Sequence, residues 1–176
     1  ISINLDYTDI LNPQIKKDLV SKIKSNNIGE YLTLEILESE KVSSFDTVNE
    51  FINDVKQFGV KIAIDDFGTG FSNYENILNL NIDYIKIDGS LIRKINEDIY
   101  LNLIKSIVLF SKQQNIKVVA EFVSDLKILR YVKNIEIDYS QGYYIGKPTH
   151  IQELFGEEDE TTTKKDNWFN NKWYFK

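Results

Sequence analysis

Six short apolar runs recur along this chain with longer amphipathic stretches between them, and that rhythm restricts the fold more than any other feature. The runs are Ile1–Leu5, Tyr31–Leu37, Val60–Asp65, Asp83–Asp88, Ile116–Glu121 and, more weakly, Glu136–Tyr139. The intervening segments have helical length. Pro13–Ser25 follows a capping Asn12 and carries proline where a first turn tolerates it. Ser44–Phe58 sets Phe45, Val48, Phe51, Ile52, Val55 and Phe58 on one helical stripe, and Gly59 stops it. Asp98–Gln114 repeats the pattern with Leu101, Ile104 and Val108, and Asp125–Lys133 follows the fifth run. Strand and helix in strict alternation mean parallel strands with crossover helices, at roughly 20–35 residues per unit, the scale of one βα unit.

Two architectures share that order. In an open doubly wound sheet, helices cover both faces and strands are apolar on both sides. In a barrel only the outer face meets helices. Here Leu34 and Ile36 alternate with Thr33 and Glu35, Ile62 and Ile64 with Ala63 and Asp65, and Ile85 and Ile87 with Tyr84, Lys86 and Asp88. Val118 and Ala120 alternate with Val119 and Glu121, while Ile3 and Leu5 flank Asn4. Period-2 geometry sends each polar set to one side. Charged groups pointing inward near strand C-termini describe the top of a TIM-like (β/α) barrel. Six units are too few to close eight strands, so the expectation is a barrel incomplete at its N-terminus. A chain that lacks methionine and begins at Ile1 fits a piece of a longer protein.

Composition narrows the chemistry. There is no cysteine and a single histidine, His150, so any bound metal must be held by oxygen ligands. A net charge of −6 argues against a duplex nucleic-acid binder. No apolar run reaches the roughly 18 residues of a membrane span, and no signal peptide opens the chain. Residues 1–155 read as one domain. Residues 156–176 read as a linker followed by a tail rich in aromatics, Trp168, Phe169, Trp173, Tyr174 and Phe175. No repeat of the solenoid type is present.

Asp65 and Asp66 are adjacent carboxylates at a strand end. Consecutive strand residues point to opposite faces, so both reach one site only where the strand breaks, and Gly68 and Gly70 permit a break. Joined by Glu35, Glu121, Asp88 and the amide oxygen of Asn4, they make an all-oxygen set suited to Mg²⁺ or Mn²⁺. Each acid alone reads as a solvated or salt-bridged group; five strand ends with inward polar positions favour convergence. Several such acids hold two ions about 3.5–4 Å apart in phosphoryl chemistry. Lys86 shares a face with Asp88, either as a buried structural pair or as an ammonium beside the reacting water.

At these residues the sequence resembles a known family. Ile64-Asp65-Asp66-Phe67-Gly68-Thr69-Gly70-Phe71-Ser72 resembles the DDFGTG(Y/F)S loop of EAL-domain proteins, the bacterial cyclic di-GMP phosphodiesterases. The likeness continues at Ile3-Asn4-Leu5, Leu34-Glu35-Ile36-Leu37-Glu38, Asp83-Tyr84-Ile85-Lys86-Ile87-Asp88, Val119-Ala120-Glu121, Gln141-Gly142-Tyr143-Tyr144 and Lys147-Pro148. The resemblance implies hydrolysis of cyclic di-GMP to linear pGpG with Mg²⁺ or Mn²⁺. It implies metal ligation by Asn4, Glu35, Asp65, Asp66 and Glu121, with Asp65 bridging two ions. Lys86 orients the attacking water, Asp88 supports it, and Gln141 contacts the water or the scissile phosphate. Glu121 belongs to both the metal and the catalytic sets, and Pro148 joins Gln141 as a substrate contact. Glu38, Phe67, Gly68, Thr69, Gly70 and Ser72 couple the loop to a homodimer interface. The family further implies an upstream sensory or GGDEF-type domain and a bacterial cytoplasmic location.

Departures from the family pattern set the alternatives. The E-A-L tripeptide, with its glutamate and a nearby phosphate-binding arginine, is absent from the 176 residues, and the resemblance implies that it belongs to strands that would precede Ile1. Phe122 replaces the usual glycine, Ser124 the second glutamate, and Asn73 a serine. The chain alone is therefore expected to be inactive or nearly so. One alternative is a degenerate EAL module that binds cyclic di-GMP, or serves as a scaffold, without turnover. A remoter one is a barrel lyase or aldolase using Lys86 as a Schiff-base amine.

Overall fold

The computed structural model describes residues 1–37, 45–69 and 74–149, apart from the side chains of Phe45 and Asn76. Glu38, Gly70, Ser72, Asn73, His150 and the segment 156–176 lie outside the described residues. Six strands form one sheet: β1 (Ser2–Leu5), β2 (Thr33–Leu37), β3 (Lys61–Phe67), β4 (Tyr84–Ile87), β5 (Lys117–Ala120) and β6 (Tyr139–Ser140). The helices are α1 (Tyr7–Leu11), α2 (Pro13–Asn26), α3 (Phe45–Lys56), α4 (Tyr74–Leu78), α5 (Gly89–Ile92), α6 (Asp98–Gln113) and α7 (Leu126–Asn134).

Strand order decides between the two architectures. The strands pair in chain order, β1 to β6, and every pair is parallel. A doubly wound sheet reverses its order at a switch point; this sheet never reverses. Right-handed crossovers repeated in one direction put all helices on one face, which is how a barrel wall is built.

Local sequence explains the helix ends. Asn12 Oδ1 accepts from the Gln14 N–H at 3.0 Å and the Ile15 N–H at 3.3 Å, Pro13 opens α2, and Asn27 closes it at φ 51°. Asp125 caps α7 by accepting from the Ile128 N–H at 2.9 Å. The apolar stripes then bury against the outer face of the sheet. Phe51, Ile52 and Val55 of α3 and Ile104 and Ile107 of α6 share one core with Leu34, Ile62, Ile85 and Val118, all at most 1% exposed. Burying each such side chain contributes about 1.5–3 kcal/mol relative to exposure. Tyr74 links β3 to α6, stacking edge-on against Phe67 at 5.7 Å and Phe110 at 4.7 Å.

At the opposite end of the strands, one device occurs twice. Asp83 accepts from the Ile62 N–H at 3.0 Å and from the ammonium groups of Lys56 and Lys61. Asp138 accepts from the Val118 N–H at 2.9 Å and from Lys117. Each aspartate sits one residue before its strand and ties it to the preceding strand. The surrounding sequence echoes itself: Val60-Lys61-Ile62-Ala63-Ile64-Asp65-Asp66 against Ile116-Lys117-Val118-Val119-Ala120-Glu121-Phe122, and Ile82-Asp83-Tyr84 against Ile137-Asp138-Tyr139.

Burial pushes the Asp83 carboxyl up, but hydrogen bonds from Lys56, Ile62 and Lys61 outweigh it and hold the pKa below 3.8. A depressed pKa stabilises the fold above the unfolded-state value, and that contribution disappears as pH falls through the folded-state value. Asp83→Asn is expected to cost about 1.5–3 kcal/mol at pH 7, the worth of hydrogen bonds to a charged group. Urea unfolding followed by circular dichroism should show the deficit narrowing below pH 3.8.

Candidate active site

The two adjacent aspartates reach one site through a bulge inside the strand. Against β4, Ile64 pairs with Ile85 and Phe67 with Ile87, so three steps of β3 face two of β4. The extra residue lies at Asp65–Asp66, and Asp66 takes φ 55°, the left-handed region. The expected break at the glycines is thus replaced by one two residues earlier, with β3 continuing to Phe67. Aspartate tolerates left-handed backbone better than most residues, and bulges are found beside active sites. The Asp66 N–H donates to Asp65 Oδ1 at 3.0 Å, which fixes the turn.

Lys86 stands at the centre of the acids. Its ammonium donates to Glu35 Oε2 at 2.8 Å and Asp65 Oδ1 at 2.7 Å, and pairs with Glu121 Oε1 at 2.9 Å. Lys86, Glu35 and Glu121 are 4%, 8% and 7% exposed, so the charges face each other rather than water. Burial pulls the Lys86 pKa down, but Asp65, Glu121 and Glu35 more than reverse it and hold the group cationic. The structural pairing with Asp88 considered from the sequence is replaced by these three bonds. Asp88 instead caps α5, accepting from the Ser90 N–H at 2.7 Å. Burial raises the Asp88 pKa, and the bonds from Ser90 and Gly89 lower it below its ordinary value.

Carboxylate oxygens of Asp65, Asp66 and Glu121 all lie within 4.8 Å of one another. Burial, then Asp65 and Asp88, push the Asp66 carboxyl above its ordinary pKa, against the pull of Lys86. Burial also raises Glu121; Lys86 opposes this, and Asp65 and Asp66 add to it. Three carboxylates gathered this closely, with Asp66 and Glu121 held above their ordinary pKa, are what a hard divalent cation relieves, so the residues present fit a metal. Glu35 joins them through Lys86. Asn4 is the register partner of Glu35 on β1, with an exposed side chain.

The remaining sequence-derived residues divide. Gln141 and Pro148 line a cavity of about 580 Å³ together with Glu121, Phe122 and Tyr143. Phe67 packs in the core at 1% exposure. Gly68 turns at φ 98° over Leu91, and the Thr69 hydroxyl donates to the Asp66 carbonyl at 3.0 Å. Sequence reasoning did not assign a role to Phe122, which takes a left-handed backbone at φ 53°. Such a conformation costs about 1–2 kcal/mol in a residue with a Cβ. The internal echo was the available signal, since it sets Phe122 opposite Asp66 and Gln141 opposite Lys86.

The sequence profile of the EAL domain family matches residues 1–148. This chain belongs to the EAL domain family. Cyclic di-GMP phosphodiesterase PdeA of Borreliella burgdorferi is 42% identical over 130 residues, 73% of this chain and 19% of the relative. Cyclic di-GMP phosphodiesterase PdeF of Escherichia coli is 32% identical over 158 residues, 89% of this chain and 21% of the relative. The chain spans about a fifth of the length of these curated relatives. The solved PaMucR phosphodiesterase, a c-di-GMP complex, matches with a TM-score of 0.80 at 25% identity, over 88% of this chain and 63% of that one. EAL-domain structures are TIM-like barrels, so the six parallel strands are part of such a barrel's wall, as the alternating strand faces indicated. No helix among the described residues is long and apolar enough to cross a membrane.

Proposed function

We propose that this EAL domain is the catalytic part of a cyclic di-GMP phosphodiesterase that takes Mg²⁺ or Mn²⁺ and yields linear pGpG. The observation that carries the reading is the group of Asp65, Asp66 and Glu121 oxygens gathered beside the buried Lys86 ammonium. The relatives' names support the substrate. Asp65, Asp66 and Glu121 would hold the metal, and Glu35 and Asn4 would offer further oxygen donors. When bound, the divalent ion supplies a water of lowered pKa and neutralises phosphate charge.

Lys86 directs its ammonium to Glu35, Asp65 and Glu121, which it holds together at the rim, and its fixed positive charge stabilises the extra negative charge of the pentavalent phosphorus. Water adds to phosphorus and gives up one proton, one bridging P–O bond to a ribose breaks, and the leaving oxygen takes up a proton, so that one water is consumed and no net proton is required. Asp88 acts on the site through Asp66, whose carboxyl it faces. Gln141 lines the cavity together with Glu121, and in this reading its amide contacts the phosphate. The same reading carries a homodimer and an upstream sensory or GGDEF-type domain in a bacterial cytoplasmic protein.

The test is incubation of the whole parent protein with cyclic di-GMP and Mn²⁺, with products separated by chromatography. The expected result is pGpG formation that EDTA abolishes and that Asp65→Asn lowers about 100-fold or more, the scale of a lost metal site. The 176-residue chain alone, which lacks the E-A-L tripeptide, is expected to show little or no release. Tight binding by the whole protein without metal-dependent turnover would instead favour a sensor module. Phe122 and Ser124, both on the cavity wall, motivate that second reading.

A further inference from the structure

Phe122 is an anomaly that neither the core nor the turn explains. Its ring is 54% exposed, so it does not serve the interior. Its backbone is left-handed, so glycine would hold the turn with less strain. Yet the surroundings accommodate the ring. A Cβ on Gly89 would fall 2.2 Å from Phe122 Cδ2, so the space the ring occupies depends on the missing side chain. The Arg93 guanidinium lies 5.0 Å from the ring centroid, within cation–π range. The residue directly before it, Glu121, belongs to the acid cluster, and both line the same cavity of about 580 Å³ with Gln141 and Tyr143.

We propose that Phe122 is a ligand-binding residue that sets affinity: its ring, backed by Arg93, is the shelf on which a base of the bound dinucleotide stacks. The proposal rests on the cyclic di-GMP reading above and deepens it. The acids and Lys86 engage the phosphodiester, which leaves the base to lie beside them within one nucleotide's reach. An aromatic face at that distance meets a purine by stacking, a contact every base can make. The ring therefore sets affinity for purine dinucleotides without touching the reacting phosphorus. A cation behind the ring holds it in place and covers the face that the base does not use.

Calorimetric titration of the whole parent protein with cyclic di-GMP, in EDTA so that no turnover intervenes, tests this. Phe122→Gly is expected to weaken binding about tenfold, at the low end of base–aromatic stacking, while Phe122→Trp stays within about twofold of wild type. Thermal unfolding should find the glycine variant no less stable, because glycine relieves the left-handed strain. Its Mn²⁺ affinity, measured in a separate metal titration, should be unchanged, which separates a base contact from damage to the acids. If wild type binds and Phe122→Gly binds equally well, the shelf is overturned and the phosphodiesterase reading stands. If the wild-type whole protein binds no cyclic di-GMP, the reading itself fails and the shelf falls with it.

Discussion

Lys86→Met is expected to abolish turnover in the whole protein and to lower the metal-free stability of this domain by about 3–5 kcal/mol, the range for breaking a buried ion pair from one side. For a chain of this length that corresponds to a melting temperature lower by roughly 6–20 °C. The cause is the set of three carboxylates, on Glu35, Asp65 and Glu121, that each pair with one ammonium at 2.7–2.9 Å. A methionine of similar length leaves them facing one another with no counter-charge. The pH dependence follows from sign. Glu121 already sits above 4.5, and Lys86 is what holds it down against burial. An acid with a raised folded-state pKa destabilises the fold progressively as pH rises from the unfolded-state value through the folded one. Removing Lys86 raises Glu121 further, so the variant's deficit should grow as pH climbs from about 4.5.

Metal should act in the opposite direction on the same variant. A divalent ion entering the wild-type cluster meets a cation already present, whereas in Lys86→Met it meets uncompensated acids. Mn²⁺ is therefore expected to raise the melting temperature of the variant more than that of wild type, although turnover stays lost by about 10²–10³-fold, the worth of a preorganised charge at the reacting group. Differential scanning fluorimetry across pH, with EDTA or Mn²⁺, reads both effects. Equal melting temperatures for the two metal-free proteins at pH 7 would mean that the ammonium is not what holds the acids together.

The contrast between Lys86 and Asp88 shows what could be read from the chain. Acids at the ends of apolar runs were legible, because strand period and composition are local. Their partners were not. Lys86 and Asp88 share a face, but residues two apart on a strand are about 6.6 Å apart, whereas neighbouring strands lie about 4.8 Å apart. A long side chain therefore finds its ions across the sheet. The bulge at Asp66 is also a product of pairing, since only β4 counts the extra residue. Of the four longer helices, α3 and α6 carried visible stripes and α2 a cap and a proline, and all four lie close to where the pattern placed them. α1, α4 and α5, at five, five and four residues, are too short to show one. β6 forms at Tyr139–Ser140 rather than over Glu136–Tyr139, because Glu136 takes φ 60° and Asp138 is committed to the Val118 N–H.

Gly142→Ala is the second large effect, and it tests how the rim is held. A Cβ at Gly142 would lie 2.3 Å from Val123 N, 2.4 Å from its O and 2.8 Å from its carbonyl carbon. All three are backbone atoms, which cannot swing aside as a side chain end can. The two segments are also tied together: the Val123 N–H donates to the Gln141 carbonyl at 3.0 Å, and the Tyr144 N–H to the Val123 carbonyl at 3.1 Å. Making room requires the segments to part and both bonds to lengthen. Overpacking contributes about 1–3 kcal/mol and two weakened hydrogen bonds about 1 kcal/mol each, so a loss of about 3–5 kcal/mol is expected. Glu121 lies two residues before Val123 and Gln141 one before Gly142, so the displacement passes directly into the site. A shift of about 1 Å there is enough for a 10²-fold loss of turnover. Gly146→Ala is the control, because a Cβ there meets nothing within 4 Å; its stability should stay within about 0.5 kcal/mol of wild type. Urea unfolding of both variants, with pGpG release measured in the whole protein, reads the comparison. Indistinguishable behaviour of the two alanines would show that the approach of Gly142 to Val123 does not hold the rim.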